Sequence, residues 1–257
     1  MAEISPSSSV MPAGDRDTQA RRERRAAAIL FGVAAHDIRT PLNAMVGWMQ
    51  VLQSPQELPA ATRERAFKGL RSAVAQQVAI ADGLAQIGGI QADAPALDLD
   101  QVAVQELLAA GVAAVEEEAR ARSITVLLET PMSEIGLRSD AALVGAAIRH
   151  CLAGVVKFAA KNSVMNVAAG ALSGPEPGCA IRVELEQSLL PAVALGAILD
   201  YVAGNFGPKP NGAGAAFAFS VAQSIALFLG GGLDVVAGEG ETCAVFTLAL
   251  PSRAGDA

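Results

Sequence analysis

Aromatic side chains are scarce in this chain of 257 residues: one Trp, one Tyr and eight Phe, 4% of the total. A core must therefore be assembled mainly from Ala, Val, Leu and Ile, and a hydrophobic fraction of 52% supplies them. Positive charge is also short, with 19 Lys and Arg against 26 Asp and Glu, a formal net charge of -7 and a pI near 4.9. That balance argues against nucleic acid as a partner, because a phosphate backbone is bound by clustered cations. Only three cysteines occur, Cys151, Cys179 and Cys243, scattered and without a CxxC pair. Neither a metal site nor a disulfide framework is expected from them, and a reducing, cytoplasmic location fits. Histidine occurs twice, at His36 and His150.

The start of the chain, MAEISPSSSVMPAGDRDTQARRERR, contains acidic residues and has no apolar segment of signal-peptide type. Residues 1–24 read as a disordered tail. A second absence needs a membrane test: no charge falls between Asn211 and Leu233, a length that could span a bilayer. Polar residues Ser220, Gln223 and Ser224 interrupt this run, glycines close it, and it lacks an aromatic belt or flanking positive charge. It reads as a buried helix of a soluble domain, and no membrane association is expected.

What is present is periodicity. Leu30, Ala34, Ile38, Leu42, Met45, Met49 and Leu52 recur at steps of three and four, predicting a helix from about Arg22 to Leu52. After the turn SPQELP, a second helix over about Ala60 to Ile90 carries Ala66, Leu70, Val74, Val78, Ala81, Leu84 and Ile87 in phase. The fold class is therefore α+β and opens on an antiparallel two-helix hairpin, residues 25–92. Two helices cover only one side of such stripes, so a four-helix bundle built by a homodimer is expected. The acidic, proline-containing QADAPALDLD marks a boundary. Over 93–257, helices are expected at Val102–Arg122, Asp140–Ala159, Ala192–Ala203 and Ala215–Leu229. Strands are expected at Ile124–Glu129, Val164–Ala168 and Ala180–Glu186, with a closing hairpin of LDVVAG and CAVFTLALP turned through Glu239 and Gly240. Helices on one face of a mixed sheet follow from that order.

One short stretch carries chemistry. His36 falls on the side of the first helix away from its apolar stripe, with Arg39, Thr40, Asn43, Gly47 and Gln50. A lone outward histidine is usually just solvated. Here, however, Asp37 beside it can accept a proton from one ring nitrogen and leave the other free as a nucleophile. Thr40, one turn on, offers a hydroxyl. Pro41 removes a backbone donor and loosens the helix at the carbonyl of residue 37.

HDIRTPLNAMVGWMQVL, from His36 to Leu52, resembles the H-box of bacterial sensor histidine kinases, H-[ED]-x-R-T-P-L followed by an apolar-periodic helix. RAFKGLRSAVAQQVAIADGLAQI is similar to that family's dimerisation helix, and the rest of the chain resembles its ATP-binding α/β sandwich in outline. The resemblance implies that His36 is the phosphoacceptor and Asp37 its acid/base partner. It also implies that Thr40 positions water and that Arg39 contacts phosphate or a docked partner. Asn43, Gly47 and Gln50 would complete the docking surface.

The nucleotide motifs depart from that pattern. RSDAALVGAAIRHCLAGVVKFA keeps Asp140, Lys157 and Phe158 of the family's N-box helix, but His150 and Gly154 stand where two asparagines would hold Mg²⁺ and phosphates. His150 on its own reads as a partly buried helix residue. In VELEQSLLP, Leu185 takes the place of the adenine-binding aspartate, and strand alternation puts Glu184 and Glu186 on the opposite face. Gln187 and Leu189 replace glycines. In GAGAAFAFS, Gly212 and Gly214 remain, while Ala216 and Ala218 replace glycines that would let the backbone approach phosphate. Leu185, Leu189, Phe217 and Phe219 point to a filled pocket. Nothing upstream is expected to gate a kinase.

The expected function is a histidine phosphotransferase of a two-component phosphorelay, serving response-regulator receiver domains. It would need no cofactor of its own, the Mg²⁺ belonging to the receiver. A divergent ATP-dependent kinase, and a non-transferring response-regulator phosphatase or docking module, are the two alternatives.

Overall fold

The computed structural model describes residues 13–54, 57–93, 97–129, 135–172, 177–205, 208–213, 216–239 and 242–252. Two long helices come first, α1 (Ala13–Leu52) and α2 (Ala60–Asp93). Helix α1 starts well before the expected Arg22, because Arg, Gln, Glu and Ala from residue 16 onward are good helix formers with no breaker among them. The expected tail is thus helical from Ala13, and its first 12 residues lie outside the described residues. Pro41 does not end α1, which continues to Leu52.

The hairpin divides its apolar residues between two faces. Helix α2 packs against both α1 and a later helix, α6 (Phe217–Phe228). Its buried residues Ala66, Ala73, Ile80 and Ile87 recur at heptad spacing, with Gly83 buried beside them. Trp48 lies so close over Gly69 that any side chain there would collide with the indole. The predicted stripe on α2 therefore splits. Ala66 and Ile87 are buried, but Val74 and Val78, together with Phe67, are about half exposed. Leu42, Val46 and Met49 of α1 are similarly open to solvent.

The remaining elements form a layered α/β unit. Strand β1 (Leu99–Gln101) pairs with β3 (Arg138–Asp140) in a two-stranded ribbon that the sequence pattern did not predict. The main sheet has the order β2-β4-β5-β7-β6, from β2 (Thr125–Leu128), β4 (Val164–Ala171), β5 (Gly178–Leu185), β6 (Gly232–Ala237) and β7 (Ala244–Pro251). Only β2 and β4 pair in parallel. The tip of the last hairpin, at Gly240, is outside the described residues.

Helices α3 (Val104–Ala121), α4 (Ala141–Phe158), α5 (Ala192–Val202) and α6 (Phe217–Phe228) supply the facing layer. Asp140 caps α4 by accepting from the Leu143 N–H at 3.1 Å. Arg122, just beyond α3, donates to the carbonyls of Val156 and Ala159 and so satisfies the other end. Among the described residues, α4 is the one helix long and apolar enough to cross a membrane, and most of it is buried in the core. The uncharged run tested in the sequence contains α6, whose residues Phe217–Ala222, Ile225 and Ala226 are also buried.

Helix α6 lies directly on α4, with three rings stacked between them and the sheet. The Phe219 centroid is 5.5 Å from that of Phe158 and 5.4 Å from that of Phe246. A Cβ built on Gly154 would stand 2.4 Å from the Phe219 ring. Gly154 and Phe219 are therefore interlocked. A Gly154→Ala substitution should destabilise the protein by about 1–3 kcal/mol despite its gain in helix propensity, because the fully packed ring must move. Urea denaturation checks this, and Phe219→Leu in the same chain should recover part of the loss.

Candidate functional site

The turn of α1 from His36 to Pro41 is helical with a proline inside the helix. Proline at 41 cannot donate to the carbonyl of Asp37. Gln77, from the middle of α2, reaches this turn and donates from Nε2 to the carbonyl of Ile38 at 2.7 Å. Thr40 donates more weakly from its hydroxyl to the His36 carbonyl, at 3.4 Å. The turn is thus held by side chains from both helices, at carbonyls that precede the proline.

His36 projects outward and is 56% exposed. Arg39, Thr40, Asn43, Gly47 and Gln50 are exposed on the same helix, so the six residues expected to form a polar surface do so. A Cβ on Gly47 would meet nothing, leaving a shallow dip in that surface. Asp37 differs from them. It turns inward and is only 6% exposed.

Two groups approach the Asp37 carboxylate. Nδ1 of His36 is 3.5 Å from Oδ1, a long contact, and Nζ of Lys157 is 2.5 Å from Oδ2. Lys157 sits in the last turn of α4, 120 positions further along the chain. A carboxylate can only accept, so its presence favours the proton on Nδ1 and leaves the Nε2 lone pair available. The main partner of Asp37 is therefore a lysine from the C-terminal layer, and the histidine takes the second oxygen. Lys157 was visible as a match to the N-box pattern, but its reach back to Asp37 had no local signal. Gln77 was missed as well, since it looks like an ordinary polar residue of an amphipathic helix.

The region corresponding to a nucleotide site is apolar. Leu185, expected at the position of an adenine-binding aspartate, is completely buried at the end of β5. Its neighbour Glu184 lies on the other face, 3.3 Å from Arg182. Phe217 and Phe219 are buried with it, as are Ala216 and Ala218. Leu189 corrects the expectation of a filled pocket at that position: it is 57% exposed, and Leu190 turns inward instead. Gly212 keeps a positive φ of 83°, which suits glycine, and Gly214 lies outside the described residues.

His150 packs against α2 where Gly83 permits close approach, its ring 3.2 Å from a Cβ built at that glycine. Burial, followed by the positive charges of Arg149 and Lys157, pushes its imidazole down from 6.5 to about 4, with Asp82 pulling weakly the other way. It is a neutral packing residue near neutral pH. The three cysteines are free and buried. Burial pushes Cys151 up to about 12 and Cys179 up to about 11, so neither offers a thiolate near neutral pH. Among the described residues no group of three or more His, Cys, Asp or Glu side chains is arranged to hold a metal ion.

No protein-family model matches the chain, and no curated protein matches it. Solved structures do. Histidine kinase AdeS from Acinetobacter baumannii is 12% identical, with a TM-score of 0.56 over 85% of this chain and 98% of that one. Histidine kinase ThkA, solved in complex with response regulator protein TrrA, is 13% identical, with a TM-score of 0.57 over 95% and 68%. Full-length ShkA in complex with AMPPNP is 18% identical, with a TM-score of 0.54 over 91% of this chain and 46% of that one. The chain thus has a sensor-histidine-kinase-type fold, a helical hairpin followed by an α/β layer of the ATP-binding type.

The environment of His150 has a measurable consequence. Its folded pKa lies below its unfolded value, so between pH 6.5 and about 4 the unfolded chain takes up the proton first. Stability contributed by neutral His150 is complete above that window and lost as pH falls through it, by up to about 3 kcal/mol. Denaturation measured from pH 7 to 4 should show this loss, and His150→Gln should flatten the profile.

Proposed function

We propose that this chain is a histidine phosphotransferase of a two-component phosphorelay, accepting a phosphoryl group on His36 from one receiver domain and passing it to another. The observation that carries the reading is a contrast within one molecule. An exposed histidine keeps its carboxylate partner, while Gly154 and Phe219 interlock where a kinase would hold its nucleotide. Position 154 offers no ligand, and 150 offers a buried imidazole in place of an oxygen. Magnesium with a nucleotide needs oxygen donors there, so the residues present do not fit that cofactor.

In the proposed reaction, the Nε2 lone pair attacks the phosphorus of a receiver's aspartyl phosphate. The N–P bond forms, the P–O bond breaks, and the receiver carboxylate leaves with the electron pair. The Nδ1 proton stays on the imidazole, facing Asp37. Transfer of this kind depends chiefly on alignment and on neutralising the phosphoryl charge, and the receiver brings its own Mg²⁺. Arg39, Thr40, Asn43, Gly47 and Gln50 form the docking surface, as befits a fold whose neighbour ThkA was captured with a response regulator. In this reading the protein works in the cytoplasm as a homodimer, a second copy covering the apolar residues that the hairpin leaves exposed.

The test uses purified wild type and His36→Ala, each incubated with labelled ATP and Mg²⁺ and, separately, with a labelled phospho-receiver. Acid-labile label from the receiver alone, absent in the variant, is expected. Label from ATP alone would make the protein a kinase, and a receiver that loses phosphate equally fast with His36→Ala would make it a phosphatase. For the dimer, Val78→Glu should shift the sedimentation coefficient from dimer to monomer while the circular dichroism stays helical. An unchanged dimer would move the interface elsewhere.

A further inference from the structure

A carboxylate as buried as that of Asp37 needs compensation. It receives it from outside the hairpin, through Lys157 of α4. The geometry has a directional effect beyond charge balance. Lys157 holds Oδ2, and once one oxygen of a planar carboxylate is fixed, the direction of the other is fixed too. That other oxygen, Oδ1, is the one facing Nδ1 of His36. An imidazole without such a partner prefers its proton on Nε2, which would occupy the nitrogen that faces away from Asp37.

We infer that Lys157 is a positioning residue for His36: by anchoring Asp37 it keeps the histidine proton on Nδ1 and the Nε2 lone pair ready to accept phosphate. The inference rests on the reading of His36 as the phosphoryl acceptor. It gives the C-terminal layer a task that requires no nucleotide, because α4 contributes one member of a Lys157–Asp37–His36 chain. The hairpin carries the nucleophile and its carboxylate, and the layer packed against it carries the cation that aims the carboxylate. Without Lys157, Asp37 would be an uncompensated buried charge, favoured to swing toward water and away from Nδ1. Lys157 is itself 31% exposed, so a solvent-facing side remains from which the pair could be opened.

The presence of just two histidines makes the tautomer directly measurable. The full chain labelled with ¹⁵N-histidine should give two imidazole spin systems, and His36→Ala identifies which is which. In wild type, His36 is expected in the Nδ1–H form. In Lys157→Met it should shift to predominantly Nε2–H, and the rate of label transfer from a phospho-receiver should fall about tenfold or more, with little change in the receiver concentration needed for half-maximal rate. Lys157→Arg, which keeps the cation, should restore most of both. The charge of Lys157 also acts on His150, so a wild-type circular dichroism spectrum and urea midpoint, and not the His150 signal, show that the variant is still folded. Lys68→Met removes a lysine from another ion pair, that with Glu117 at 3.7 Å, and should leave tautomer and rate as in wild type.

Retention of the Nδ1–H tautomer and the full transfer rate in Lys157→Met would overturn the inference while leaving His36 as the acceptor. If the wild type never accepts label from any receiver, the phosphotransfer reading falls. The tautomer comparison then still decides whether Lys157 positions His36 through Asp37.

Discussion

The contact between Asp37 and Lys157 is the constraint on which the arrangement of the hairpin and the layer depends. A carboxylate on a two-helix hairpin would ordinarily face water. Here it is buried, and the cation that permits burial comes from the last turn of a helix in the other part of the chain. The pair fixes which face of α1 is covered. With Asp37 inward, the helical period turns His36, Arg39, Asn43 and Gln50 about 100° or more away from it, and these residues are exposed. Apolar contacts reinforce that choice, since Ile29, Leu30, Val33 and Ala34 of α1 join the same core as α5 and α6. One ion pair and one apolar seam together orient the turn that carries the histidine.

The second constraint is a matched pair of substitutions. An unbranched position at 154 leaves space on the buried side of α4, and Phe219 of α6 occupies it. Neither residue is explicable alone. A phenylalanine opposite any larger side chain would clash, while a glycine mid-helix with nothing to fill it would cost both propensity and packing. Their fit makes this region ordinary core, continued by the rings of Phe158 and Phe246. Helix α6 packs against α4, and its residues from Phe217 to Ala222 are buried.

Much of this was legible in the sequence because periodicity survives in single elements. Helices α2, α4 and α5 and strands β4, β5 and β7 fall within a few residues of where their apolar spacing puts them. The outward face of His36 followed from the same counting. What escaped was either too short or too distant. Strand β1 has three residues, two of them polar, and exists only because β3 lies beside it. The start of α1 was misplaced because a charged helical segment carries no apolar signal. Leu189 was expected to fill a pocket as an apolar residue in the place of a glycine, yet the chain turns at that point and presents Leu190 instead. The Asp37–Lys157 contact joins residues 120 positions apart, and no pattern within either helix announces it.

The hairpin illustrates how a correct pattern can still be divided wrongly. Its apolar stripe on α2 is broader than one contact requires. Tertiary packing takes Ala66, Ala73, Ile80, Gly83 and Ile87 and leaves Val74 and Val78 half open. Small residues at Ala66, Gly69 and Ala73 let α2 come close to α1, as the approach of Trp48 to Gly69 shows. Close approach then prevents the larger residues from turning inward, since the space between the helices is already filled. Exposed valine, leucine and methionine on both helices are thus a consequence of the tight internal seam. In the proposed homodimer a second hairpin would cover them, because the same surface on another copy carries the same excess. On this argument the seam and the large residues beside it have separate tasks: the first closes the hairpin and the second forms the face on which the homodimer is proposed.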